Sequence, residues 1–272
     1  MTELKKDVAK IMDIVKGEGV KERVFSARNS WYEWSKEERD LKAQVENVRE
    51  RKLMTLFFDL EESLKRVPSQ SEYLNEYMKI AFAKIEKQAW YTEIVKVFNK
   101  DFIENCVTWR ADRAYKSSLI EIMTAMQLES KGYTVFRDKY IDMVMGVDLV
   151  AIKGEKVWYI HVTKDSSFSK DKVLTKGTYR DYWVNYKRFN YQRNFENHVE
   201  LFYSADENEN NVVKNGLPLF RFDYLMDALD EEHAFTYDDN NQMAELMAIM
   251  KNAGSVNKFY QWKSADGKLT VK

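Results

Sequence analysis

The chain has 272 residues, with 43 Lys and Arg against 44 Asp and Glu, a formal net charge of −1 and 44% hydrophobic residues. That length can bury one good-sized core or two modest ones without disulfide staples. The composition excludes a disordered chain, and the balanced charge excludes a whole-molecule field that would pull the protein onto a polyanion.

Cys106 is the only cysteine, so neither an intramolecular disulfide nor a Cys-based zinc site can form, which is the cysteine usage of a reducing compartment. Residues 1–10 lack the apolar stretch of a signal peptide, and no apolar run reaches the roughly 20 residues needed to cross a bilayer. A cytoplasmic protein with no membrane partner is the expectation.

Residues 1–108 read as all-helical, with strong helix formers, apolar residues three and four apart and few breakers. Ser35 with Glu38, and Ser69 with Glu72, have the spacing of capping boxes. Pro68 marks a break before the second of these. Leu41, Val45, Val48, Lys52 and Leu56 make one amphipathic stripe; Tyr73, Tyr77, Ile80 and Lys84 make another. Both predict a helical bundle burying its own faces, and the same region is where a protein partner or a second copy of the chain would dock.

From residue 109 to 205 the pattern changes. Tyr115, Leu119, Ile122, Met123 and Met126 continue a helix that Gly132 ends. Short β-type runs follow at 133–136, 147–152 and 157–162, the last two separated by a Gly-containing turn that predicts a hairpin. A polar loop at 165–172 leads to an aromatic and basic stretch at 179–195, then a β run at 199–203. An acidic, Asn-rich loop spans 206–211. Residues 206–272 read as a mixed extension packed on the core, with one helix around 242–251. Helix, strands, helix, strand predicts an α/β (α+β) fold.

Hydrolysis of a phosphodiester by a metal-dependent enzyme needs acidic side chains fixed around a divalent cation, with a cation or base to manage water and developing charge. A hairpin supplies that geometry, because alternate residues of a strand share a face. Three segments have this form: Glu121 on the helix; Gly146-Val147-Asp148 opening an apolar strand; and Trp158-Tyr159-Ile160-His161-Val162-Thr163-Lys164 on the next. Together with Gly132-Tyr133-Thr134-Val135 this run resembles the core of the PD-(D/E)XK nuclease superfamily, over about 115–203.

The resemblance implies a restriction-endonuclease-like mixed sheet flanked by helices and an endo- or exodeoxyribonuclease acting on DNA. It implies Asp148, His161 and Glu121 as ligands of magnesium or manganese, with Thr163 or Lys164 orienting water or steadying the phosphate. The third motif departs from the pattern. In one register His161 stands at the acid position and Thr163 at the lysine; in the other, Lys164 is restored but Val162 replaces the acid. Imidazole suits manganese better than magnesium, and a bulge after His161 would turn Lys164 inward. Asp138 and Asp142 read as loop acids able to support a ligand from outside. This departure gives the alternative, a catalytically degenerate relative that binds DNA or a protein as an assembly or inhibitory factor.

Lys176, Arg180, Lys187, Arg188, Tyr191 and Arg193 mix cations with rings, as nucleic-acid faces do. The same stretch also fits an amphipathic helix with Trp183, Phe189 and Phe195 inward. No glycine-rich phosphate loop, nucleophile elbow or paired-His motif is present, and Cys106 reads as packing.

Overall fold

The structure, a computed structural model, describes residues 50–98, 100–138, 141–142, 146–167, 169–170, 179–184, 187–192 and 198–236, with 36, 40, 43–45 and 48. The capping box at Ser35, the helix around 242–251, and the side chains of Lys176 and Arg193 lie outside them. The described residues fall into two compact units, those up to Ser118 and those from Leu119 onward.

The first unit contains α1 (Arg51–Leu64), α2 (Gln70–Ile85), α3 (Tyr91–Phe98) and the start of α4 (Lys100–Ser130). The anticipated boundary at 108/109 falls inside α4. Helix α2 opens on the expected capping box: Ser69 accepts from the Glu72 amide, and the Glu72 carboxylate accepts from the Ser69 amide. Two of the first-turn N–H groups that no helical carbonyl can reach are thereby satisfied. Arg66 pairs with Glu72 from outside and, with the Ser69 amide, holds its carboxyl down at about 2.

The buried line of α2 runs through Tyr73, Tyr77, Ala81 and Ile85. Steps of four residues leave the expected Ile80 and Lys84 half-buried on its flank. In α1, Leu56 is buried as anticipated while Lys52 is exposed. Phe57, Tyr73 and Tyr115 form a tilted ring cluster with centroids 5.5 to 5.7 Å apart. Such pairs add about 0.5–1.5 kcal/mol beyond area burial. The Tyr115 hydroxyl donates to the Pro68 carbonyl at 2.8 Å, and Gln70 donates to Asp112 at 2.7 Å, so polar groups that the core encloses are matched. Cys106 is buried, as its packing role requires.

The second unit is α/β. The last turns of α4 bury Leu119, Ile120, Ile122, Met123, Ala125, Met126 and Leu128, apolar nearly all round as an enclosed helix must be. The helix ends where the Tyr133 amide returns to the Leu128 carbonyl and that of Gly132 to Glu129, the closure expected at Gly132.

Strands β1 (Thr134–Phe136), β2 (Leu149–Lys153) and β3 (Lys156–Lys164) form an antiparallel meander. The β2–β3 turn is Gly154-Glu155, and Gly154 takes φ +62°, a conformation that two-residue hairpin turns require and glycine adopts without strain. After β4 (Tyr179–Val184) and β5 (Lys187–Gln192), β6 (His198–Tyr203) pairs parallel to β3, making the sheet mixed, in the order β1-β2-β3-β6. β7 (Asn211–Lys214) and β8 (Leu217–Phe220) form a separate hairpin, and α5 (Phe222–Ala228) leads to β9 (Phe235–Thr236), which pairs with the start of β3.

Six of the nine residues of β3, Val157 through Val162, are buried, so both of its faces are covered. Strands covered on both sides read as unbroken apolar runs, which is why 157–162 does not alternate. Gln127 fastens α4 to the end of β8 through the Phe220 carbonyl at 2.7 Å, and Trp158 donates to the Asp230 carbonyl at 2.8 Å.

Residues 179–192 are not the packing helix that their periodicity also allowed. β4 and β5 are paired antiparallel, with Arg180 opposite Tyr191, Tyr182 opposite Phe189 and Trp183 opposite Arg188. Among the described residues no helix is long and apolar enough to cross a membrane.

Candidate functional site

Asp148 stands one residue before β2, as the apolar run after it predicts. Its amide donates to the Ile160 carbonyl at 2.9 Å, yet Ile160 is already the partner of Leu149. Two consecutive residues thus face one, which is the signature of a β-bulge. The β3–β6 register runs unbroken from Tyr159 to Lys164, so no bulge after His161 turns Lys164 inward. Asp148 Oδ2 in turn accepts from the Val162 amide at 2.6 Å. A side-chain oxygen therefore carries the β2–β3 ladder one step past its end, and the short distance is that of a charge-assisted bond.

Alternation along β3 sends His161 and Thr163 to one face and Val162 and Lys164 to the other. His161 is 1% exposed, and its Nε2 lies 3.1 Å from Nδ1 of His198 on β6, with the rings stacked at 5.2 Å. His198 also lies against Tyr159, whose hydroxyl burial pushes up to about 12. The imidazole meant to share a cation with Asp148 is thus engaged across the β3–β6 seam, while Asp148 closes the β2–β3 seam. Thr163 is half-buried level with Phe202, and Lys164 is half-buried level with Tyr203.

Glu121 comes within electrostatic range of Asp148. Burial pushes its carboxyl well above the usual carboxylate range; the Arg137 guanidinium pulls it down, and the negative charges of Asp148 and Asp142 push it up again. Arg137 Nε donates to Glu121 Oε2 at 3.3 Å, with 1% of the arginine side chain and 15% of the glutamate exposed. Asp142 follows Asp138 by one turn, its amide bonded to the Asp138 carbonyl at 3.0 Å. Glu121 is therefore ion-paired with a buried arginine and feels the charges of Asp142 and Asp148.

Whether these groups fit a divalent ion is decided by their commitments. Magnesium and manganese need several oxygen donors converging on one point. Here an Asp148 oxygen is held in a backbone ladder, Glu121 is ion-paired, and the imidazole is stacked on a second imidazole. Among the described residues no three His, Cys, Asp or Glu side chains are placed to hold a metal ion. The expected ligand set does not fit.

Arg137 and His198 were not among the anticipated site residues. Arg137 directly follows β1, sixteen residues from its partner, so only the turn at Gly132 brings the two together. His198 opens the run at 199–203 and is set against His161 by the parallel register. Arg180 lies on β4, and Lys187, Arg188 and Tyr191 lie on β5. Comparison with protein-family models, curated proteins and solved structures gives no match for this chain.

Proposed function

We propose that this protein binds nucleic acid, DNA in the first instance, on a nuclease-type core that does not hydrolyse it. The order helix, three-strand antiparallel meander, then a strand parallel to the last supports the PD-(D/E)XK-like reading of the core. The observation that carries the non-cutting part is the 2.6 Å bond from the Val162 amide to Asp148 Oδ2. The carboxylate that a hydrolytic ion would need completes the sheet, and neither Val162 nor the engaged His161 supplies the acid required on β3.

Binding is supported by the β4–β5 ribbon. Residues 176–193 contain Lys176, Arg180, Lys187, Arg188 and Arg193 against one acid, Asp181, in a chain of net charge −1. A two-stranded ribbon of this kind enters the major groove of a duplex, and at about 3.3 Å per residue its strands extend roughly 20 Å. That Glu121 feels the charge of Asp148 favours a second reading, a metal-dependent nuclease.

Fluorescence anisotropy with labelled duplex DNA, run alongside cleavage of supercoiled, linear and single-stranded DNA in magnesium and in manganese, separates the two. The expected result is saturable binding with no cutting. The affinity should fall with salt at a log–log slope no steeper than about −4.5, the value for five neutralised phosphates. Lys187→Glu with Arg188→Glu should weaken binding without changing the fold. Cleavage that disappears in Asp148→Ala favours the nuclease instead. No binding at low salt sinks the nucleic-acid reading.

A further inference from the structure

The β4–β5 ribbon has two faces, and they differ in chemistry. In an antiparallel pair, residues directly opposite one another share a face, and alternate positions along each strand fall on the same side. The register therefore puts Arg180 with Tyr191, Tyr182 with Phe189 and Val184 with Lys187 on one face; the other receives Tyr179 with Gln192, Asp181 with Asn190 and Trp183 with Arg188. Asp181, the only acid of the two strands, stands on the second face. The first holds two cationic and three aromatic positions among its six, with no acid to answer the cations. Among the described residues, neither strand pairs with any strand but the other.

A face that only packed against protein would enclose two charges without partners, which is costly. A face that only met water gains nothing from Tyr182, Phe189 and Tyr191 in adjoining positions. Phosphates answer the cations but leave the aromatic residues unexplained, because a base paired inside a duplex has its flat sides covered by its neighbours in the stack. An unpaired base offers a flat side, whatever its sequence. We propose that this face of the ribbon takes unpaired bases: Tyr182, Phe189 and Tyr191 supply the stacking surface, and Arg180 and Lys187 meet the phosphates that join those bases. The preferred ligand is then a single strand, or the single-stranded extension of a duplex, and a blunt duplex held through its phosphates alone is the weaker one. The inference rests on the nucleic-acid reading above and names the form of nucleic acid that the same ribbon prefers.

The test is anisotropy of the full-length protein at one fixed salt concentration with four labelled ligands. These are an oligothymidine strand, a blunt duplex, the same duplex with a thymidine extension, and a strand as long as the oligothymidine built wholly of abasic sites, which keeps the phosphates and removes the bases. Oligothymidine and the extended duplex should bind more tightly than the blunt duplex. The abasic strand should bind about tenfold more weakly than oligothymidine, or worse, since that is the worth of stacking one base on one ring. Tyr182→Leu and Tyr191→Leu keep apolar bulk and remove the flat ring; each should weaken oligothymidine binding by about tenfold and leave the blunt duplex unchanged, while Tyr182→Phe and Tyr191→Phe should bind as wild type does. Equal affinity for the oligothymidine and abasic strands overturns the proposal, as do folded leucine variants that bind oligothymidine as wild type does. Should a leucine variant fail to fold, the abasic comparison on wild-type protein decides alone. Blunt-duplex binding with no gain from unpaired bases overturns this inference and leaves the nucleic-acid reading standing; no binding to any of the four at low salt ends both.

Discussion

Replacing Asp148 by Ala and by Asn separates the acid's place in the sheet from its charge. Asn keeps an oxygen where Oδ2 accepts from the Val162 amide at 2.6 Å, whereas Ala leaves that amide without its acceptor in a residue that is 5% exposed. Stranding a buried donor costs about 1–3 kcal/mol. Both substitutions remove a negative charge that pushes Glu121 upward, so that relief is common to the two and cancels in their difference. Asp148→Ala should therefore be about 2 kcal/mol worse than Asp148→Asn, which for local opening is roughly a 30-fold difference in exchange rate. The assay is hydrogen exchange at the Val162 amide, read residue by residue because a chain of two compact units need not unfold in one step. Equal Val162 exchange in Asp148→Ala, Asp148→Asn and wild type refutes the ladder-closing role assigned to this carboxylate.

Other outcomes follow from the same geometry. Glu121 has its folded-state pKa raised, so within the window that opens near its unfolded value of about 4.3 the native state holds the extra proton. Stability should then fall as pH rises through that window, by at most about 1.4 kcal/mol per pH unit, and be insensitive to this group below it; Glu121→Gln should flatten that part of a urea-unfolding profile against pH. Glu72 runs the other way: lowered to about 2 by Arg66 and the Ser69 amide, it contributes stability above about 4.3 that is lost as pH falls toward 2. The contribution is small, because its side chain is 36% exposed and screened. Ser69→Ala removes the cap of α2 and should cost about 1 kcal/mol in urea unfolding, while Ser69→Asp should cost far less.

Much of the second unit was legible because its signals are local. Gly132 after an apolar helix, an unbroken β run on each side of Lys153-Gly154-Glu155, and Asp148 at the head of one run each specify an element without reference to distant residues. The capping box at Ser69 was legible for the same reason. What escaped depends on registers that sequence does not display. His161 meets His198 only because β6 runs parallel to β3 in one particular alignment. Glu121 meets Arg137 only because the chain doubles back at Gly132.

The irregular pairing at Asp148, whose amide and carboxylate both bond to β3, has no sequence signal, since an extra residue leaves no compositional trace when its neighbours are all apolar. Residues 179–192 defeat periodicity altogether: rings fall at odd and even positions alike, so helix and ribbon fit equally until pairing decides. Asn215-Gly216, by contrast, is a plain hairpin signal between two apolar runs. Both residues take the positive φ values such a turn needs, 50° and 76°.

The account stands or falls on a nuclease-type core that grips a polyanion without cutting it. The most direct measurement is wild-type protein mixed with labelled duplex DNA in manganese, followed at once by anisotropy and by gel. It predicts salt-sensitive binding to DNA that stays full length. Binding followed by fragments, with fragmentation lost in Asp148→Asn, contradicts it.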